Sequence, residues 1–291
     1  MSTGGPRIHL ISFATEDYSN SAKALGIKAI ANGFSSFYLY NFQDLEADFV
    51  ENNSLTLANR RGAGYWVWKP YIILKYLSQI PRGEYLLYLD AGVMPKSQAG
   101  EFVNYLKDEK IHLWNIHGVT IGEWTDPGVL RALNVSESTF GSNMVMGGAI
   151  LGVNSLEFKS ILERWLDLCT NPKYLHPDSE PSYVKPEGLF WHRHDQSLLS
   201  VLVATDSQYF TVHEASARSP ESAFLNIHRK KNLKHIAIVF TFPGLRKFRR
   251  SITNLLPLKL KTRLRSYLFQ KRNRGVSLAE EIAVKQSLRK L

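Results

Sequence analysis

Apolar residues in the first 230 positions fall into two patterns. Continuous apolar runs predict buried strands, and they occur at Ile8–Thr15, Phe37–Tyr40, Tyr85–Leu89, Ile111–Ile116 and Met146–Asn154. Three- and four-residue apolar spacing predicts amphipathic helices, and it occurs within residues 20–55, after Pro70, over Leu156–Thr170 and from Asp195 onward. Strands that alternate with helices predict an α/β fold, with a Rossmann-like sheet covered by helices.

The strand Tyr85–Leu89 is followed at once by Asp90, Ala91 and Gly92. A carboxylate at the carboxyl end of such a strand faces the crevice where open α/β sheets bind ligands. An oxygen ligand in that place can hold a divalent cation against a diphosphate. The alternative is that Asp90 caps the turn.

Residues 60–70 have the sequence RRGAGYWVWKP, which joins a loop to the start of a helix. Glycines let the backbone approach a ligand, and the cations Arg61 and Lys69 beside helix-N-terminal amides suit phosphate. The aromatic rings can stack on a base or a sugar. The alternative is that Trp66 or Trp68 forms a hydrophobic plug at the helix start.

The order GYWVWKP at 64–70 and YLDAG at 88–92 resembles a group of bacterial glycosyltransferases with the GT-A fold, which build lipopolysaccharide, capsule or related surface glycans. The resemblance extends to the opening strand, to Met146–Asn154 and to the HDQSLL sequence at 194–199, so it covers residues 8 to about 230. It implies a GT-A-like mixed sheet flanked by helices and a nucleotide-sugar donor.

The resemblance also implies roles for individual residues. The predicted donor-binding residues are Phe13, Ala14, Thr15, Tyr18, Arg61, Tyr65, Trp68, Lys69, Asp90, Gly92 and Lys231. The predicted acceptor- or sugar-binding residues are Gly147, Gly148, His194, Asp195 and Gln196. Asp90 and Asp195 are the predicted catalytic residues, with Asp195 as general base or as a ligand that positions the sugar. The structural alternative for Asp195 is a helix N-cap, and the two roles can hold at once.

The chain departs from the GT-A pattern at the metal site. Such enzymes usually carry two carboxylates, as Asp-any-Asp, that bind Mn²⁺ or Mg²⁺, whereas this chain has Asp90-Ala91-Gly92. Either Asp90 binds the metal with help from His228, or basic residues neutralise the diphosphate instead. The alternative for His228 is a surface histidine at the start of a basic tail.

Charge divides the chain near residue 230. Residues 229–291 carry 18 Lys+Arg and 2 Asp+Glu, which leaves 18 and 24 for residues 1–228. We therefore predict a catalytic domain over 1–230 and a basic, amphipathic helical tail over 231–291. Apolar and cationic faces over 243–272 predict contact with an anionic membrane surface. The alternative is that these helices pack on the catalytic domain. We predict no nucleic-acid partner, because no zinc-finger, RRM or helix-turn-helix signature is present.

The chain begins without a signal-peptide pattern and has no apolar run long enough to span a bilayer. Its single cysteine, Cys169, allows no internal disulfide. We therefore expect a cytoplasmic protein, peripheral to the inner face of the plasma membrane.

Together these features predict a hexosyltransferase-like enzyme of EC class 2.4. It would move a sugar from a nucleotide-sugar to a glycan or lipid-linked acceptor at the cytoplasmic membrane surface, with retention or inversion left open. Two alternatives are a catalytically silent protein that binds anionic membranes, and a nucleotidyltransferase. The latter needs a phosphate loop after the first strand, whereas Gly4 and Gly5 precede it.

Overall fold

The structure is a computed structural model that describes residues 7–105, 109–214 and the backbone of 225–227. These residues belong to a compact unit, Met1–Lys234. His228, Lys231 and the predicted tail lie outside the described residues. The division at residue 230 and the membrane-binding surface therefore stay predictions.

A mixed sheet forms the centre of the described chain. Its strands are β1 (Ile8–Phe13), β2 (Ser36–Tyr40), β3 (Tyr85–Leu89), β5 (Ile111–Thr120), β6 (Asn143–Val145), β7 (Ala149–Val153) and β8 (Phe210–His213), while β4 (Val93–Pro95) and β9 (Leu225–Ile227) pair separately. The spatial order is β2-β1-β3-β7-β5-β6, with β8 also paired to β5. β2, β1 and β3 are parallel, and β7 then runs antiparallel to both β3 and β5.

Helices flank this sheet. The longer ones are α1 (Ser19–Ala31), α5 (Trp68–Leu77), α9 (Leu156–Thr170) and α11 (Asp195–Thr205). The shorter ones are α2 (Ala47–Asn52), α3 (Ser54–Leu57), α4 (Gly62–Tyr65), α6 (Ala99–Tyr105), α7 (Ile121–Trp124), α8 (Pro127–Ala132) and α10 (Pro172–Leu175). The predicted α/β fold, a mixed sheet flanked by helices, is confirmed.

Two elements differ from their prediction. The strand predicted over Met146–Asn154 begins only at Ala149, because Gly147 and Gly148 form a turn between β6 and β7. Within residues 20–55, the apolar spacing after the strand Phe37–Tyr40 predicts one helix. The structure has two, α2 and α3, which are separated at Asn53, where the backbone is not helical (φ −116°).

Strand β3 is buried on both faces. Leu86 and Tyr88 pack in one apolar cluster with α5 and α9, whereas Leu87 and Leu89 pack in another cluster with α1. This division follows from the alternation of side chains along a strand. Helices on both faces hold β3 in the middle of the molecule, so Asp90 is fixed at the edge of the sheet where the parallel strands β1 and β3 end.

Among the described residues, none of the helices combines the length and the apolar character that crossing a membrane requires.

Candidate active site

A cleft of about 760 Å³ opens where β1 and β3 end. It is lined by residues 13–15, 17–18, 60–63, 66, 68–69, 90–93, 116, 124, 146–148, 191 and 193–196. Ligand sites of open α/β sheets lie in this place, at the carboxyl ends of parallel strands. Aromatic residues alternate with charged ones around the cleft, as in many small-molecule sites.

A buried ion cluster lies at the base of the cleft. The Nζ of Lys69 lies 2.8 Å from Oδ2 of Asp195 and 3.5 Å from Oδ1 of Asp90, and it donates to the carbonyl of Gly147 at 2.9 Å. The side chains of Lys69 and Asp195 are 3% and 4% exposed, while that of Asp90 is 37% exposed. Asp90 is therefore the member of the cluster that faces the open cleft.

Burial and charge act against each other in this cluster. Burial opposes the charge on Lys69, but Asp195 and Asp90 outweigh it and raise the pKa of the ammonium. Burial raises the pKa of Asp195 to about 6, even though Lys69 acts in the other direction. A carboxylate with a pKa close to the working pH is suited to accept a proton from a substrate hydroxyl.

Asp90 is held by a residue of β3 and by the turn before β7. Its Oδ1 accepts a hydrogen bond from the hydroxyl of Tyr88 at 2.5 Å, and its backbone N–H donates to the carbonyl of Gly148 at 2.9 Å. A Cβ on Gly148 would lie 2.7 Å from Oδ2 of Asp90, and one on Gly147 would lie 3.2 Å from Oδ2 of Asp195. The two glycines thus leave the space that both carboxylates occupy.

Asp195 is the first residue of α11 and does not cap it. The N-cap is His194, whose side chain makes no capping hydrogen bond and whose φ is 54°. The Nδ1–H of His194 donates to the carbonyl of Leu175 at 2.8 Å, and burial lowers the pKa of His194 to about 4, so its ring is neutral at pH 7. The N-cap alternative for Asp195 is therefore wrong, since its carboxylate pairs with Lys69 instead.

The chain makes a left-handed turn just before α5. Gly62, Ala63, Gly64, Tyr65 and Trp66 have φ between 52° and 93°. This backbone costs about 1–2 kcal/mol for each non-glycine residue, and such strain persists where the surrounding structure enforces it. The indole N–H of Trp68 donates to the carbonyls of Gly62 (3.3 Å) and Ala63 (3.1 Å). Its ring stacks on that of Phe13, with the ring centroids 3.8 Å apart.

Trp68 is 4% exposed, so most of its side chain is buried, as the alternative of a hydrophobic plug predicts. The small exposed part lines the cleft. The turn that Trp68 holds presents Arg60 and Arg61, both exposed, to the cleft.

The structure brings most of the predicted site residues together. Those that line the cleft are Phe13, Ala14, Thr15, Tyr18, Arg61, Trp68, Lys69, Asp90, Gly92, Gly147, Gly148, His194, Asp195 and Gln196. Tyr65 is not among the lining residues and packs on the rings of His176 and His194. Lys231 and His228 lie outside the described residues. The individual roles of all these residues stay predictions.

Several cleft residues were not predicted from the sequence. They include Asp17, Trp124, Trp191 and Arg193, whereas Arg60 and Trp66 belong to the motif at 60–70 that was predicted to bind phosphate, base or sugar. Trp124 is the last residue of α7, and Trp191 lies in the chain just before α11. The signal that could have found Trp191 and Arg193 is their position immediately before Asp195.

The described residues do not fit a divalent metal site. They contain no group of three or more His, Cys, Asp or Glu side chains that could hold an ion. Of the two carboxylates predicted to act here, Asp195 is paired with Lys69, and Asp90 lies 3.5 Å from the same ammonium. A dication beside a buried ammonium is repelled by it. His228 lies outside the described residues, so the predicted metal pair of Asp90 and His228 stays a prediction.

Similar solved structures are glycosyltransferases of low sequence identity. A glycosyltransferase involved in the glycosylation of the major capsid of PBCV-1 is 13% identical over 72% of this chain and 82% of that chain, with a TM-score of 0.39. Mouse xyloside xylosyltransferase 1 is 12% identical over 72% and 85%, with a TM-score of 0.41. The galactosyltransferase LgtC, in complex with donor and acceptor sugar analogs, is 14% identical over 71% and 73%, with a TM-score of 0.40.

No protein-family model and no curated protein matches the sequence. Because the TM-scores are low, the likeness to these solved structures carries no argument about the activity of this chain.

Proposed function

We propose that this protein is a glycosyltransferase that uses a nucleotide-sugar donor. The observation that carries the proposal is the buried cluster of Lys69, Asp195 and Asp90 at the base of a cleft where β1 and β3 end. Asp195, whose pKa is raised to about 6, lies beside the more accessible carboxylate of Asp90. This combination suits proton transfer from a hydroxyl nucleophile.

In this proposal the donor lies across the ends of β1 and β3. The chain at Phe13–Thr15 and Tyr18 would hold base and ribose, and the exposed Arg60 and Arg61 would hold the diphosphate, because guanidinium groups bind phosphate oxygens in bidentate fashion. Arg61 and Lys69 were both predicted for this role. In the proposal Arg61 keeps it, whereas the buried Lys69 would act on the diphosphate only through its two carboxylate partners. The arginines replace the metal ion as the countercharge, which follows the second alternative of the sequence analysis.

Asp195 would then act on the acceptor. It takes the proton of the acceptor hydroxyl, whose oxygen forms a bond to the anomeric carbon of the sugar. The bond from that carbon to the diphosphate breaks, and the nucleoside diphosphate leaves with the electron pair. Asp90, on the accessible side, would position the donor ribose or sugar.

The finer proposals concern the acceptor and its location. The basic, apolar segment 243–272 supports a glycan or lipid-linked acceptor at the inner face of the plasma membrane, in lipopolysaccharide or capsule synthesis. These proposals, including the hexosyl class and the cytoplasmic location, rest on the sequence, since the segment lies outside the described residues.

A thermal-shift panel of nucleoside diphosphates and nucleotide-sugars tests the donor site. We expect one nucleotide to raise the melting temperature of the full chain, with the same shift in EDTA and in Mn²⁺. Arg61→Ala should remove most of the shift, since a lost phosphate contact costs about 1.5–3 kcal/mol. Arg131→Ala, an exposed arginine away from the cleft, is the matched control and should behave like the wild type.

Two results would contradict the proposal. The absence of a shift for every nucleotide would favour the catalytically silent alternative. A shift that requires Mn²⁺ and is lost in Asp90→Asn would show that a metal ion, rather than the arginines, neutralises the diphosphate.

A further inference from the structure

Three aromatic side chains, Trp124, Phe190 and Trp191, lie in or beside the cleft, and two of them, Trp124 and Trp191, line it. Phe190 is 57% exposed and Trp191 is 42% exposed, and they are adjacent in the chain. Phe190 stacks on Trp124 with ring centroids 5.4 Å apart. Single exposed apolar residues need no explanation, but adjoining exposed rings at the mouth of a cleft mark a binding surface. We call Trp124, Phe190 and Trp191 the aromatic platform.

Two arginines lie against the platform. The guanidinium of Arg193 lies 4.4 Å from the ring centroid of Trp124, and that of Arg61 lies 5.0 Å from the ring centroid of Trp191. Cations stacked on aromatic faces hold both groups in place. Trp124, Trp191 and both arginines line the same cleft as Asp195, so the platform continues the proposed active site outward.

Hydrogen bonds fix the platform to the helix that begins at Asp195. The Ser197 hydroxyl donates to the carbonyl of Trp124 at 2.8 Å and accepts from the backbone N–H of Arg193 at 2.9 Å. The backbone N–H of Phe190 donates to the carbonyl of Glu123 at 2.8 Å. The backbone at Trp124 and Arg193 is therefore tied to the helix that begins at Asp195, and the backbone at Phe190 is tied to the residue before Trp124, as a preorganised binding surface requires.

This combination matches one class of ligand. A pyranose ring presents an apolar C–H face that packs on an aromatic ring, and its hydroxyls then need hydrogen-bonding groups at the rim. Arg193 and Gln196, joined by a hydrogen bond of 3.3 Å, supply such groups beside Trp124. A nucleobase is matched less well, since the predicted base site at the end of β1 is built by other residues of the cleft, Phe13 to Thr15.

We propose that the aromatic platform is the acceptor subsite and binds a saccharide unit of the acceptor, next to the hydroxyl that reacts. This inference rests on the proposed glycosyltransferase function, and it names the acceptor as a glycan chain that extends out of the cleft over Trp191 and Phe190.

Calorimetric titration of the full chain with maltohexaose, cellohexaose and chitohexaose, without nucleotide, tests the subsite. We expect at least one of them to bind the wild type, and Trp191→Ala to weaken that binding by about tenfold or more. Trp191→Phe, which keeps a ring, should retain most of the affinity. Tyr209→Ala, an aromatic residue 37% exposed and away from the cleft, is the control and should bind like the wild type.

The inference is overturned if none of the three oligosaccharides binds, or if Trp191→Ala binds as well as the wild type. It is also overturned if Trp191→Ala weakens the binding of a nucleoside diphosphate instead, because the platform would then belong to the donor. Failure of the proposed function gives a different result: saccharide binding would depend on Trp191 while no nucleotide-sugar is bound or consumed.

Discussion

Replacing Lys69 by methionine is expected to lower the free energy of unfolding by about 3–5 kcal/mol, because a buried carboxylate is left without its partner. The Lys69 side chain is 3% exposed and bridges Asp195 and Asp90. Without the ammonium, the two carboxylates repel each other and Asp195 keeps its proton at pH 7. Turnover should be lost as well, and urea denaturation and a nucleotide-release assay measure the two effects.

A double variant separates the two effects. Lys69→Met with Asp195→Leu removes both buried charges, so most of the lost stability should return while turnover stays absent. Lys75→Met is the control, because Lys75 pairs with Glu46 at 3.0 Å on the surface, where the pair contributes at most about 1 kcal/mol. A double variant as unstable as Lys69→Met would show that packing, rather than the unpaired charge, causes the loss.

Replacing Gly148 by alanine is expected to reduce turnover by about 100-fold, because a shift of about 1 Å in a reacting group has an effect of this size. The added Cβ would lie 2.7 Å from Oδ2 and 3.1 Å from Cγ of Asp90, so the carboxylate must move. Asp90 can move into the cleft, since its side chain is 37% exposed. The fold should therefore survive, with a melting temperature near that of the wild type.

Gly141→Ala is the matched control for this variant. A Cβ at Gly141 would meet no atom within 4 Å, so its turnover should equal that of the wild type. Wild-type turnover in Gly148→Ala would mean that the position of Asp90 has no part in the reaction. Equal losses in both variants would point to a general effect of glycine replacement.

The parts of the site that local patterns encode could be predicted. The apolar run Tyr85–Leu89 predicted a strand buried on both faces, and the structure has that strand. Asp90 directly follows it and therefore lies at the edge of the sheet. The apolar positions after Asp195 likewise define a helix, and they place that carboxylate at its first turn.

The parts that depend on distant contacts could not be predicted. The pairing of Lys69 with Asp195 joins positions 126 residues apart, so the sequence did not indicate that Lys69 is buried beside a carboxylate. The left-handed turn at 62–66 includes Ala63, Tyr65 and Trp66, which have no intrinsic preference for that backbone. Contacts such as the hydrogen bonds from the Trp68 indole hold it in place, and a single sequence does not reveal them.

The aromatic platform was missed for a related reason. Trp124 ends the four-residue helix α7 and Trp191 lies outside the helices and strands, so neither belongs to an apolar pattern long enough to predict an element. Ser197 of α11 binds the backbone at both Trp124 and Arg193, and such a contact between distant positions is not visible in a single sequence.

The pH dependence of nucleotide release from the donor that the binding panel identifies tests the central claim most directly. A base works in its deprotonated form, so kcat/KM should fall as the pH drops below the pKa of Asp195, which is raised to about 6. The account predicts a rate that is level above pH 7 and falls about tenfold per pH unit well below pH 6. Consumption of the donor at a constant rate down to about pH 5, or no consumption at any pH, would contradict it.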